Sequence, residues 1–167
     1  MNVLVSACLL GVKCRYDGSG GENAEWIEAY PNIHLIPVCP EQLGGLKTPR
    51  CPAECVKRKG AVHVVTQEGE DVTAAYEKGA AESLRLARLY HCEAVILKER
   101  SPSCGSGEIY DGTFTHTRIL GDGVTAKCLK EAQIPVYGES AAAEVLERLS
   151  RDGADKKKKV KEKIDRK

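Results

Sequence analysis

The sequence predicts an α/β domain, a three-layer Rossmann-like fold with a largely parallel sheet and cysteine-bearing loops at the carboxyl ends of its strands. Short apolar runs alternate with segments of helical pattern along the chain, the order expected of helices covering a parallel sheet. Residues 94–97 (Ala-Val-Ile-Leu) show no polar alternation, which suits a strand covered on both faces. Cys8, Cys39 and Cys104 each follow such a run, where an open α/β sheet binds its ligands. A chain of 167 residues is long enough for one domain with a substantial core.

Taken in order, residues 2–7 read as the first strand, with Cys8 at its end and a helical turn at Leu9-Leu10-Gly11. Residues 14–21 form a glycine-rich loop whose backbone can approach a ligand closely, or simply a surface loop. Residues 23–30 make a short helix capped by Asn23 and ended by Pro31. Residues 33–39 are a second strand, with Pro37 near its terminus and His34 a strand residue. Residues 40–55 are dense in proline and glycine and read as one long shaped loop, a kind that is usually functional. A strand at 62–66 precedes a helix capped by Asp71 or Thr73 and running to about Tyr90.

The strand at 94–97 then enters the Cys104 loop, where Pro102, Gly105 and Gly107 stop it. Asp111-Gly112, flanked by β formers between 109 and 115, signals a tight hairpin. A helix over 124–132 carries Cys128, a last strand spans 134–137, and Ser140 caps a final helix to Leu149. From Arg151 the chain is almost purely charged and reads as a solvated, frayed extension. No internal repeat and no linker precede that tail.

A net charge of +1 and a scarcity of aromatics argue against a nucleic-acid partner. No apolar run approaches the length of a membrane span, and residues 1–5 lack the pattern of a signal peptide. The expected compartment is the cytoplasm, where eight cysteines point to metal binding or catalysis rather than to disulfides. Some are expected to be no more than small buried apolar residues.

Cys8, Cys39 and Cys104 converge if their strands are neighbours, and three thiolates suit a soft metal such as zinc, copper(I) or an iron–sulfur cluster. Without a cation, mutually repelling thiolates are costly. Cys51 and Cys55 have metal-like spacing but no second pair nearby, and they read as packing thiols. Cys14 borders the glycine loop, while Cys92 and Cys128 fall in helical contexts. A metal-free thiol enzyme built on Cys104 has no partner base, because His34, His63, His91 and His116 lie in none of the cysteine loops. Glu41 can serve as an acid or base, or simply pair with Arg50; Ser101 before a proline is an ordinary turn residue. Asp17, Lys98 and the Gly121-Asp122-Gly123 turn are further polar features with ordinary structural explanations.

The segments Ser6-Ala7-Cys8-Leu9-Leu10-Gly11, Cys14-Arg15-Tyr16-Asp17-Gly18, Pro37-Val38-Cys39-Pro40-Glu41, Gly45-Leu46-x-x-Pro49-Arg50 and the stretch from Leu97 to Gly105 together resemble the thiouracil desulfidase family. The resemblance runs from about Asn2 to Leu149. It implies residues 1–150 as an iron–sulfur desulfidase domain, with 151–167 a charged, lysine-rich tail. It also implies a 4Fe-4S cluster held by only Cys8, Cys39 and Cys104, with one iron open, and catalytic roles for Glu41 and Ser101.

The implied reaction is non-redox cleavage of a C–S bond in a thiolated nucleobase such as 2-thiouracil or a related thioamide. C=S becomes C=O by hydrolysis, with sulfide leaving on the open iron. The rival expectation is a non-catalytic module that carries zinc, an iron–sulfur cluster or sulfur on the same cysteines.

Overall fold

The computed structural model describes residues 1–23, 25–58 and 60–164, the stretch 155–164 in backbone only. Its elements in chain order are β1 (Asn2–Ser6), α1 (Glu25–Ala29), β2 (His34–Val38), α2 (Pro40–Leu43), β3 (Ala53–Arg58), β4 (Ala61–Thr66) and α3 (Thr73–Leu89). They continue with β5 (Ala94–Leu97), β6 (Glu108–Tyr110), β7 (Arg118–Leu120), α4 (Val124–Glu131), β8 (Val136–Gly138) and α5 (Ala142–Ile164). The main sheet is wholly parallel, in the order β2-β1-β5-β8.

Two-residue periodicity sends alternate side chains of this sheet to opposite faces. Val3, Val5, Ala94 and Ile96 pack with Ala142, Val145 and Leu146 of α5. Leu4, Val95 and Leu97 pack with Ala87 of α3 and with Ala126 and Leu129 of α4. Helices on both faces make the three layers the sequence predicts. Leu4, Ile96, Leu97, Leu129 and Leu146 are fully enclosed, each contributing about 1.5–3 kcal/mol by burial.

Two antiparallel pairs stand outside this sheet, and both modify the reading from sequence. The stretch 40–55 is not one loop: it opens with α2 and ends in β3, which pairs with β4 from Ala53↔Thr66 to Arg58↔Ala61. The prolines and glycines at 40–52 hide where the loop stops. The second pair, β6–β7, is joined by residues 111–117 rather than by a tight Asp-Gly turn. Asp111 instead accepts bonds from the backbone and hydroxyl of Thr113, a local turn at the start of a longer loop.

The helix ends also differ from expectation. Leu9 and Leu10 lie in a 3₁₀ turn over Ala7–Leu10, closed by Gly11 at φ +90°. Helix α1 is shorter than 23–30, and Ala24, inside the predicted span, lies outside the described residues. Ser140 does not cap α5; its N–H and hydroxyl donate to Glu99. Helix α5 continues past Leu149 to Ile164, through most of the charged stretch, and 165–167 lie outside the described residues. No described helix is long and apolar enough to cross a membrane.

Two features position the site. Strand β1 lies between β2 and β5, so the carboxyl ends of three adjacent strands open on one crevice. Helix α2 lies backbone to backbone on α3: a Cβ on Gly79 would overlap the Pro40 carbonyl, and one on Gly44 would overlap the Ala75 carbonyl. This close approach pins Pro40, and with it the flanking Cys39 and Glu41.

Candidate active site

The crevice is a cavity of about 430 Å³ whose lining includes Cys8, Cys39, Cys104, Glu41 and Ser101. All five residues singled out from sequence therefore meet, although they come from three separate stretches of the chain. Cys8 sits in the 3₁₀ turn after β1, Cys39 immediately precedes α2, and Cys104 lies in the loop after β5.

A fourth thiol joins them. Cys14, 1% exposed, returns through its loop to the same wall, where the Cys39 thiol donates to the Cys14 carbonyl at 3.7 Å. The neighbouring Cys39 thiol favours the Cys14 thiolate, but the Cys8 thiol and burial outweigh it and push Cys14 up to about 11. Cys39 is raised by the neighbouring Cys14 thiol and then by burial. Burial first, and then the nearby negative charges of Glu41 and Cys39, push Cys104 up to about 12. Cys14, Cys39 and Cys104 are thus soft donors whose charged forms are disfavoured until a cation joins them.

Among the described residues, no three His, Cys, Asp or Glu side chains are placed to hold a single metal ion. Each thiol of an iron–sulfur cluster binds a different iron, so the sulfurs need not meet at one point. Three thiols on the walls of one cavity are donors of the kind that hold an iron–sulfur cluster.

Glu41 does pair with Arg50, yet the pairing places it at the cavity instead of removing it. Arg50 Nε donates to Glu41 Oε2 at 2.6 Å, and both side chains are largely buried. Arg50 Nη2 donates to the Cys14 carbonyl at 3.0 Å, tying α2 to the Cys14 loop. Burial alone would lower the Arg50 pKa; the Glu41 carboxylate outweighs it and holds the guanidinium above its ordinary value. Tyr76 of α3 lines the same wall beside this carboxylate. Its phenol is raised well above the usual range by burial and then by Glu41.

Ser101 has a structural task as well as a place on the wall. Its hydroxyl oxygen accepts the N–H groups of Ser103 and Cys104, each at 3.1 Å, and so shapes the ligand loop. Among the described groups none accepts its hydroxyl proton, which is left to donate. The amides at the start of α4 do not face a ligand: Gly123, Val124 and Thr125 donate to the carbonyls of Gly105, Pro102 and Ser103. Asp122 closes the same turn on the Gly107 N–H and Lys130. Lys98 is engaged by Glu139, and Asp17 caps its own turn through Ser19.

Cys51 and Cys55 do not line the cavity. The Cys55 thiol is buried against the Pro102 carbonyl, and burial pushes it up to about 11. Cys92 and Cys128 lie apart from the cavity as well. Sequence reasoning gave no site role to Tyr76 of α3 or to the further lining residues Tyr16, Tyr110, Phe114 and His116. The glycine-rich return after Cys14 was the one local signal for a fourth thiol.

The 2-thiouracil desulfurase family model matches residues 3–141. The uncharacterized protein YbbK of Bacillus subtilis (strain 168) is 45% identical over 150 residues, spanning 86% of this chain and 99% of that protein. A solved structure of a 4Fe-4S-dependent thiouracil desulfidase, TudS, superposes with a TM-score of 0.77 at 40% identity. It covers 89% of this chain and 97% of that one. A family match across most of the chain and a solved relative of the same three-layer architecture agree with the cavity's cysteine, carboxylate and hydroxyl groups: the chain belongs to the 2-thiouracil desulfurase family.

Proposed function

We propose that the protein is a 4Fe-4S-dependent desulfidase that hydrolyses the thiocarbonyl of a thiolated pyrimidine such as 2-thiouracil. The observation that carries this reading is the meeting of Cys8, Cys39, Cys104, Glu41 and Ser101 in one cavity at the carboxyl edge of β2, β1 and β5. Cys8, Cys39 and Cys104 hold the cluster. When bound by three thiolates, the cluster supplies a soft, Lewis-acidic iron free of a protein ligand, suited to a thiocarbonyl sulfur.

The chain's own residues do the rest. Glu41 accepts a proton from the water that attacks the thiocarbonyl carbon. Arg50 holds its carboxylate towards the cavity. The Ser101 hydroxyl donates to the negative charge that develops on the heterocycle. Atoms balance without an oxidant or reductant: thioamide and water give amide and hydrogen sulfide. Free thiols throughout the chain fit a reducing compartment, which supports a cytoplasmic location.

Anaerobically prepared, cluster-loaded protein is expected to convert 2-thiouracil into equal amounts of uracil and sulfide. Replacing Cys8, Cys39 or Cys104 singly by serine is expected to abolish iron retention, and Glu41→Ala to retain iron but lose turnover. A colourless protein carrying one zinc and no labile sulfide would instead establish a non-catalytic metal module.

A further inference from the structure

The chain has six tyrosines, one phenylalanine and one tryptophan, eight aromatic residues in 167. Four of those eight, Tyr16, Tyr76, Tyr110 and Phe114, line the one cavity. Tyr76 is enclosed in the inner wall; the other three are not core residues. Among the described residues, the packed apolar clusters take in Trp26, Tyr30, Tyr76 and Tyr137 but not Tyr16, Tyr110 or Phe114. Large aromatic surface that neither packs in a core nor lies scattered singly calls for a ligand.

The loop that carries Phe114 is built to hold it there. Phe114 has φ +58° and His116 has φ +62°, conformations unfavourable for side chains of this size. The Glu54 carboxylate, on a residue 7% exposed, accepts the N–H groups of Gly112 and Phe114 at 2.9 and 3.0 Å. The Gly112 position tolerates nothing larger: a Cβ there would lie 2.8 Å from the Cys55 carbonyl oxygen. His116 packs edge-to-face on Tyr110, with ring centroids 5.8 Å apart. A buried carboxylate thus fixes an otherwise disfavoured backbone, and the result sets the only phenylalanine on the rim of the cavity. Strain of this kind is retained where the surroundings over-determine it and the site needs it.

We infer that Phe114, held by Glu54 and flanked by Tyr110 and His116, is the face on which the planar heteroaromatic ring of the substrate rests. The inference deepens the desulfidase reading and rests on it for the identity of the ring. Stacking selects any flat heterocycle by its face, while the cysteine wall selects the sulfur. The loop 111–117 is therefore the specificity element of the site, and linear thioamides are poor substrates.

The test is titration of cluster-loaded protein with 2-thiouracil and with uracil, followed by calorimetry, beside turnover assays of the same samples. Phe114→Ala is expected to weaken binding of both bases and raise KM about tenfold, as loss of one stacking face does. Its kcat, iron content and circular dichroism are expected to remain as in wild type, and Phe114→Tyr is expected to restore binding. Glu54→Ala, which keeps the Phe114 side chain but removes both anchors of its backbone, is expected to weaken binding in the same direction. Unchanged binding and KM in Phe114→Ala, with wild-type turnover intact, would overturn the ring-face assignment and leave the desulfidase reading standing. Base binding that depends on Phe114 without release of sulfide would do the reverse. A wild-type protein that neither binds nor converts the bases overturns both.

Discussion

At the scale of single residues, the site is organised by Arg50. One guanidinium joins the Glu41 carboxylate of α2 to the carbonyl of Cys14, so the proton-handling group and the thiol wall share a support. Removing one member of a largely buried ion pair leaves the other uncompensated, at a cost of about 3–5 kcal/mol. Arg50→Met is therefore expected to lower the unfolding free energy by about 3 kcal/mol in denaturant titrations and to cut kcat more than tenfold. Arg50→Lys is expected to recover part of the stability but little of the rate, because an ammonium lacks the fork that spans Glu41 and Cys14. Cys14 shares the cavity wall with the proposed ligands, yet the three-ligand scheme gives it no iron. Cys14→Ala is expected to keep iron near the wild-type amount, measured beside the ligand variants. Equal loss in both sets would make Cys14 a ligand too. Of these residues, the cysteines at strand ends were legible because each follows a local apolar run. The Glu41–Arg50 pair was legible only as an alternative, because a nine-residue separation does not say which way either side chain points.

At the scale of elements, the crossing of α2 and α3 sets where Cys39 and Glu41 stand. Alanine normally stabilises a helix interior relative to glycine by up to about 1 kcal/mol. At Gly79 that sign reverses, because the added carbon meets the Pro40 carbonyl. Gly79→Ala is expected to destabilise the protein by about 1–3 kcal/mol and to lower iron retention, since α2 must move and carry Cys39 with it. The entry to α3 offers a pH test. Asp71 accepts from the hydroxyl and N–H of Thr73 and pairs with His63. The Thr73 hydroxyl and N–H, and then His63, hold its carboxyl down, from 3.8 to about 2. A depressed carboxyl contributes its full stability above its unfolded pKa and loses it as pH falls through the folded one. Wild type is therefore expected to lose more thermal stability between pH 4 and pH 2 than Asp71→Asn does. Identical acid profiles would show that the Asp71 contacts contribute nothing. The start of this helix was readable to within about two residues from Asp71 and Thr73, but neither is its cap: Val72 takes that position and Thr73 is the first helical residue. Strand β3 was not readable, because proline and glycine dominate the preceding stretch and its pairing partner, β4, lies beyond it.

At the scale of the whole molecule, α5 joins the domain to the charged stretch, and its described anchors end early. Asn32 and Ser150 bond reciprocally, and the Tyr30 hydroxyl donates to the Ala143 carbonyl. Removing residues 155–167 is expected to change stability by less than about 0.5 kcal/mol and to leave iron content and kcat unaltered, as compared by thermal melts and sulfide release. A larger loss would assign the lysine run to the domain rather than to a tail. What the sequence determined by itself is the part written in local pattern: the alternating architecture, the parallel sheet, and three cysteines at the ends of buried runs. Period-two and unbroken apolar runs are dictated by which faces of a strand are covered, so they survive in one dimension. Only the tertiary structure decided that β1 lies between β2 and β5, and so that Cys8, Cys39 and Cys104 share a cavity. It alone brought Cys14, Tyr76 and Phe114 to the same walls, through a loop return, a helix crossing and a separate hairpin. Strand order, close backbone packing and the path of a loop depend on contacts between residues far apart in the chain, and no local pattern records them.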